Sequence, residues 1–129
     1  MLKSGILNPN INLLLSLARH TNTLVIADRG FPFWKDVETV DISLVDDLPR
    51  VLDVLAAIRC NFSAAHAFMA EEFNEVNSQE TILQFKHALD GVELEFETHT
   101  DLKKRVPDAI GIIRTGDTIQ YANLVLESG

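Results

Sequence analysis

The sequence has few of the residues that mark a disulfide, zinc or nucleic-acid protein. Its 129 residues include a single cysteine, Cys60, so the chain can form no internal disulfide and no zinc site built on several thiolates. One cysteine fits a reducing compartment such as the cytosol. Basic residues are scarce, with 11 Lys and Arg against 19 Asp and Glu, and the net charge is −8. This balance argues against nucleic acid or an anionic membrane as the main partner.

Long apolar runs and phosphate-binding loops are also missing. The stretch INLLLSLA at 11–18 is far shorter than the roughly 18 apolar residues of a membrane span, and we interpret it as a helix of the fold rather than a signal peptide. No GxGxxG, GxxxxGK[ST], GxSxG or HExxH pattern occurs. Dinucleotide, P-loop, serine-hydrolase and zinc-protease interpretations therefore lack the motif that each requires.

Helix and strand patterns alternate along the chain. Asn8-Pro9 is a good helix start, and Ile11 and Leu14 begin an apolar stripe at helical spacing. The run TLVIAD, 23–28, predicts a short strand buried on both faces. The patterns predict further strands over 37–44, 64–72, 92–99, 109–116 and 121–128, with further helices over 48–58, 78–89 and 100–106. This alternation predicts one α/β domain, 1–129, with a largely parallel or mixed central sheet and helices on both faces.

Polar side chains stand at the predicted strand ends, where α/β sheets bind ligands. Asp28 follows the first strand, and His20 lies before it at the end of the first helix, where the helix dipole favours a charged imidazole. The remaining candidates are His99, Arg114, Tyr121 and Asn123, of which the last two are spaced to share one face of a strand. Each has a structural explanation too, as a turn, cap or surface residue. His66 and His87 we interpret as structural, and Glu71-Glu72 as a solvated charge pair.

The chemistry of this set is hydrogen bonding and proton transfer. Imidazole, carboxylate, phenol and amide groups can bind hydroxyls and move protons with no cofactor and no metal. Asp28 would also raise the pKa of a nearby imidazole.

In their order, these residues resemble the D-ribose pyranase / L-fucose mutarotase family over nearly the whole chain. The resemblance is carried by KSGILNPNI, HTNTLVIADRGFP, VDISLVDDLP, AEE, THTDLKKR, IIRTG and YANLVL. It implies a cytoplasmic, cofactor-independent enzyme that interconverts ring forms of a free monosaccharide, in the ribose branch from β-pyranose to β-furanose. It also implies a homo-oligomer, commonly a decamer of two pentameric rings. His20 would be the proton donor, and Asp28, His99 and Tyr121-Ala122-Asn123 would bind the sugar.

The sequence departs from the family pattern around the first strand. Arg19 replaces a usual glycine, Asn22 a usual aspartate, and Arg29 a usual small residue. Arg29, and Arg114 at the end of a later predicted strand, are further candidate sugar contacts. Because a strand separates His20 from Asp28, we expect His20 of one subunit to complete a pocket whose Asp28 comes from a neighbour.

Two alternatives to the enzyme interpretation remain at this point. One is a non-catalytic sugar-binding or regulatory protein on the same scaffold, in which Arg29 would occupy the place of the sugar. The other is a metal-dependent isomerase that uses His20, His99 and Asp28 as ligands.

Overall fold

A six-stranded mixed sheet lies at the centre of the structure, a computed structural model that describes residues 1–129. The strands are β1 (Thr23–Ala27), β2 (Thr39–Asp41), β3 (Ala64–Ala70), β4 (Glu93–Glu97), β5 (Gly111–Arg114) and β6 (Leu124–Ser128). The helices are α1 (Pro9–Leu17), α2 (Val51–Arg59), α3 (Glu71–Val76), α4 (Gln79–Ala88) and α5 (His99–Lys104), with a 3₁₀ turn at Val106–Asp108. No helix is long and apolar enough to cross a membrane.

The strand order is β2-β5-β1-β6-β3-β4. β1 pairs in parallel with β5, β5 with β2, and β3 with β4, whereas β6 is antiparallel to both of its neighbours. The carboxyl ends of β1 to β5 therefore share one edge of the sheet with the amino end of β6. The predicted α/β class with a mixed sheet is confirmed.

Strand β1 is buried on both faces, as its apolar run predicts. Residues 24–27 are fully buried, and they alternate between the two sides of the sheet. Leu24 and Ile26 belong to one hydrophobic cluster, and Val25 and Ala27 belong to another. The strand can be apolar throughout because helices cover both faces of the sheet.

The two faces carry cores of different size. The larger cluster has 19 buried residues, including side chains of α1, α2, α3 and α4, and the smaller has 10, including Leu102 of α5. Asn8 caps α1 by accepting the N–H groups of Asn10 and Ile11. Gly111 lets α1 pack close to the sheet, because a Cβ there would lie 2.8 Å from the Leu14 methyls.

Several predicted boundaries are wrong. The strand predicted over 64–72 ends at Ala70, and the six residues of α3 follow it at once. The strand over 37–44 shrinks to β2, because Asp41 accepts the Ser43 N–H in a turn. α2 begins at Val51, since Leu48 lies in the preceding loop and is 52% exposed.

Candidate functional site

A cavity of about 300 Å³ opens at the carboxyl edge of the sheet. Its lining residues are Asp28, Gly30, Phe31, Pro32, His99, Gln120, Tyr121 and Asn123. They come from the chain segments that follow β1, follow β4 and precede β6. This volume is at the lower end of the range for ligand sites, which suits a small molecule.

Asp28 is a carboxyl group largely removed from water. The residue is 8% exposed, and its Oδ1 accepts the N–H of Gly30 at 2.9 Å. Burial raises the pKa of Asp28, against the lowering effect of the N–H groups of Gly30 and Phe31. Asn123 fixes the backbone here, because its Oδ1 accepts the Asp28 N–H at 2.8 Å. A buried carboxyl with a raised pKa is a better proton acceptor than an exposed one.

His99 adds an imidazole to the lining of the same cavity. The sequence pattern predicts that His99 ends a strand. In the structure it is instead the first residue of α5, whose N-cap is Thr98. Its ring meets Phe31 and Tyr121 edge-on, with centroids 6.2 Å and 5.1 Å away. Burial lowers the pKa of His99, and Lys103 lowers it further, whereas the charges of Glu72 and Asp28 raise it. The expected effect of Asp28 on a nearby imidazole is therefore present, but burial outweighs it.

Tyr121 reaches the cavity through an unusual backbone conformation. Its φ of +57° lies in the left-handed region, which a non-glycine residue rarely adopts, and the residue precedes β6 rather than belonging to it. The prediction that Tyr121 and Asn123 share one strand face is therefore wrong, although both line the cavity. Asn77 holds this loop, since its side-chain N–H donates to the Gln120 carbonyl at 2.9 Å.

Sequence reasoning missed Gln120 and the walls of the cavity. Gln120 lines the cavity and stands directly before Tyr121 in the sequence. Its position next to the YAN segment is the one signal that could have indicated it as a site residue. Phe31 lies between Gly30 and Pro32 in the segment after β1, and its ring contacts the His99 imidazole edge-on. Nothing in the local pattern indicates that this aromatic ring faces a cavity.

His20 lies far from this cavity in the same chain. It precedes β1, whereas Asp28 follows it, and the five residues of β1 at about 3.3 Å each span roughly 17 Å. His20 is exposed, in a turn beyond the end of α1 at Leu17. The prediction that His20 lies at the end of the first helix is therefore wrong, because α1 ends at Leu17 and its C-cap is Ala18.

Three other candidates do not line the cavity. Ala122 is fully buried in the larger core, whereas its neighbours Tyr121 and Asn123 line the cavity. Arg29 turns away to Asp46, with Nη1 2.7 Å from Oδ1. Arg29 therefore lies outside the cavity, whereas the binding-protein alternative expects it to occupy the place of the sugar.

Arg114 supports the turn that forms one wall. Its guanidinium donates to the carbonyls of Phe31 at 2.7 Å and Pro32 at 3.2 Å, and its side chain is only 13% exposed. Arg114 thus contacts protein backbone where the sequence suggested a sugar contact.

Two further interpretations concern titratable groups outside the cavity. Glu72 is not a solvated residue, because its carboxylate accepts the backbone N–H of His99. His66 lies between Glu93 and Glu127, with ring-to-carboxylate distances of 2.9 Å and 3.4 Å, which agrees with a structural role. No three His, Cys, Asp or Glu side chains lie close enough together in the chain to hold a metal ion.

A buried carboxyl, an imidazole, a phenol and an amide around a small cavity define a site for binding hydroxyl groups and transferring protons. The chain belongs to the RbsD / FucU transport protein family, whose sequence profile matches residues 1–129. Full-length relatives named D-ribose pyranase include one from Clostridium perfringens, 33% identical over all of this chain and 98% of its own, and one from Geobacillus kaustophilus, 37% identical over all of this chain and 94% of its own.

Solved structures agree with this assignment. RbsD of Bacillus subtilis, complexed with D-ribose, superposes with a TM-score of 0.92 at 32% identity, covering all of this chain and 98% of that one. The fucose mutarotase of Streptococcus pneumoniae, in complex with L-fucose, superposes with a TM-score of 0.80 at 17% identity. This match covers 95% of this chain and 92% of that one. At that identity the second likeness concerns the fold alone.

Proposed function

We propose that this protein converts D-ribose between its β-pyranose and β-furanose forms, without a cofactor, in the cavity at the carboxyl edge of the sheet. The proposal rests on the convergence of Asp28, His99, Tyr121 and Asn123 at one cavity. The enzyme class follows from the full-length relatives: the chain is a sugar mutarotase, an isomerase. Ribose is favoured over other sugars because the relatives more than 30% identical are named for it.

The reaction needs two proton movements in each direction. Ring opening removes the proton from the anomeric hydroxyl, breaks the bond between the anomeric carbon and the ring oxygen, and delivers a proton to that oxygen. Reclosure by a different hydroxyl reverses both transfers, so no atom or electron is gained or lost. In the proposed site Asp28 accepts a hydroxyl proton, since its pKa is raised by burial. Tyr121 and Asn123 orient the sugar hydroxyls.

His99 contributes an imidazole that binds the sugar in its neutral form. Because burial lowers its pKa, the ring carries both a donor and an acceptor nitrogen at neutral pH. A neutral ring can therefore donate to one hydroxyl and accept from another. We propose this binding role for His99 and the role of proton donor for His20.

The proton donor is proposed to come from a neighbouring copy. His20 stands at the opposite edge of the sheet from the cavity, so one chain cannot bring it to Asp28. Large apolar side chains are exposed, among them Phe33 at 75%, Leu44 at 73% and Leu7 at 71%. Such surfaces favour self-association. We propose a homo-oligomer, a decamer of two pentameric rings, in the cytoplasm.

Exchange NMR on sugar anomers tests the activity. We expect the wild-type protein to speed the exchange between ribopyranose and ribofuranose signals, and His20→Ala and Asp28→Asn to lose on the order of 10² or more of that rate. His87→Ala is the matched control, because His87 is another exposed histidine, on α4 away from the cavity. Wild-type exchange no faster than buffer with ribose, fucose and other free sugars would refute the proposal.

A further inference from the structure

Two short helices start side by side next to the cavity. β3 and β4 are parallel, with Ala70 opposite Glu97, and each continues directly into a helix. Two positions beyond this pair are Glu72 in α3 and His99 in α5. The register therefore brings the Glu72 carboxylate to the His99 backbone, where its two oxygens accept the N–H at 2.9 Å and 3.2 Å.

The His99 N–H is one that its own helix leaves without a partner. The first N–H groups of any α-helix have no intrahelical acceptor. In α5 the Thr98 hydroxyl accepts the N–H of Asp101, which is not the N–H of His99. Glu72 therefore supplies the missing acceptor from a different helix. A carboxylate makes this hydrogen bond stronger than a neutral acceptor would.

The position of the imidazole depends on this backbone contact. No protein atom hydrogen-bonds the buried Nδ1 of His99, and the ring meets Phe31 and Tyr121 only by edge-on packing. The polar contact from α3 to residue 99 is made through the main chain.

Three charged groups influence the pKa of the same imidazole. Glu72 approaches from α3, Asp28 from the end of β1, and Lys103 from the same helix as His99. Tyr121, from the loop before β6, packs its ring edge-on against the imidazole. Glu72 thus contributes one of the two negative charges that offset Lys103 and favour a protonated ring.

We propose that Glu72 is a positioning residue of the sugar site, which holds His99 at the cavity through its backbone N–H and sets the charge balance beside its imidazole. The proposal rests on the proposed function for its effect on sugar, but the contact itself can be measured without sugar. It also assigns Glu72 a task different from that of Glu71, its exposed neighbour.

Four variants separate positioning from helix stability. Glu72→Ala removes the acceptor and the charge, and Glu72→Gln keeps an oxygen acceptor but removes the charge. Glu71→Gln removes a neighbouring exposed charge. Thr98→Ala removes the cap of α5 but leaves the acceptor of the His99 N–H in place. Each is titrated by NMR on the imidazole signals of the four histidines, with the His99 signal assigned by its absence in His99→Gln. Each is also assayed by ribose exchange NMR.

We expect both Glu72 variants to titrate His99 at lower pH than the wild type, because a charge that favours the protonated ring is gone. Glu72→Ala should also raise the KM for ribose by about tenfold, with a smaller effect on kcat, since a misplaced binding group weakens the complex. The KM of Glu72→Gln for ribose should lie between those of Glu72→Ala and the wild type. Glu71→Gln and Thr98→Ala should leave the His99 titration unchanged, although Thr98→Ala melts at a lower temperature.

The outcomes are distinct. An unchanged His99 titration in both Glu72 variants overturns the proposal. A shift of the His99 titration in Thr98→Ala as large as that in the Glu72 variants also overturns it, because Glu72 would then act only as a helix cap. A wild-type protein that exchanges no sugar, together with a His99 titration shifted by Glu72→Gln and not by Glu71→Gln, refutes the proposed function but supports the control of His99 by Glu72.

Discussion

Subunit complementation tests the most specific consequence of the geometry. His20 and Asp28 stand outside opposite ends of β1, whose five residues span roughly 17 Å at about 3.3 Å each. General acid and base must both lie within hydrogen-bond reach of one sugar, about 3 Å from the reacting atoms. One chain cannot meet this requirement with these two residues, so the proposed mechanism needs His20 from one copy and Asp28 from another at each complete site.

The expected magnitude follows from counting sites. His20→Ala and Asp28→Asn should each be nearly inactive alone, with losses on the order of 10²–10⁴ in rate. In an equal, random mixture of the two variants, a complete site forms where the histidine comes from an Asp28→Asn chain and the carboxylate from a His20→Ala chain. This happens at about one quarter of the interfaces of a symmetric oligomer.

The assay uses co-expressed chains with two different tags, purified in sequence so that only mixed oligomers remain. Native mass spectrometry establishes their composition, and exchange NMR on ribose gives the rate per chain. Wild-type chains mixed with Asp28→Asn chains are the control, and about half of their sites should be complete. Mixed oligomers that are no more active than either parent variant would show that His20 and Asp28 do not share a site between copies.

Three further predictions concern stability and the cavity wall. Because burial raises the pKa of Asp28, the folded state loses stability as the pH rises from the ordinary pKa of 3.8 through the raised one. Asp28→Asn should therefore melt at a higher temperature than the wild type at pH 7. Calorimetry should show that this gain in melting temperature vanishes below pH 3.8. Arg114→Met should raise the KM for ribose by about tenfold, and Arg114→Lys by less, because the guanidinium donates to two carbonyls of the cavity wall; steady-state exchange NMR measures both. Leu55→Ala, in the larger core, should cost about 2–5 kcal/mol in urea unfolding, whereas Leu13→Ala, 57% exposed on α1, should stay within about 0.5 kcal/mol.

Local signals predicted the parts of the fold that depend on local physics. The start of α1 follows from a cap residue before proline, and the Asn8 side chain makes the expected contacts. The burial of β1 on both faces follows from an apolar run too short for a helix. α4 begins after Ser78, whose hydroxyl accepts the Thr81 N–H.

Other elements are too short or too dependent on distant residues to predict this way. α3 has six residues, less than two turns, so its apolar positions show no period. α5 carried a usable signal, since Thr98 and Asp101 have the spacing of a capping pair, but the alternation before it extended the predicted strand to His99. The left-handed backbone of Tyr121 has no sequence signal, because no glycine marks it.

Tyr121 and Asn123 lie beside Asp28 and His99 because one strand runs against the others. In an all-parallel sheet only the segments that follow strands reach the carboxyl edge. β6 is antiparallel to both β1 and β3, so the segment before it, with Tyr121 and Asn123, reaches that same edge. Pairing with β1 then puts the Asn123 side chain on the Asp28 N–H, which ties the start of the last strand to the end of the first. The same direction of chain puts the turn directly before β1, which includes His20, at the far edge, where the Thr21 N–H donates to the Ser128 carbonyl at the end of β6. A single chain of this topology therefore brings the candidate binding residues together, and in the proposed mechanism the proton donor, His20, comes from a second copy.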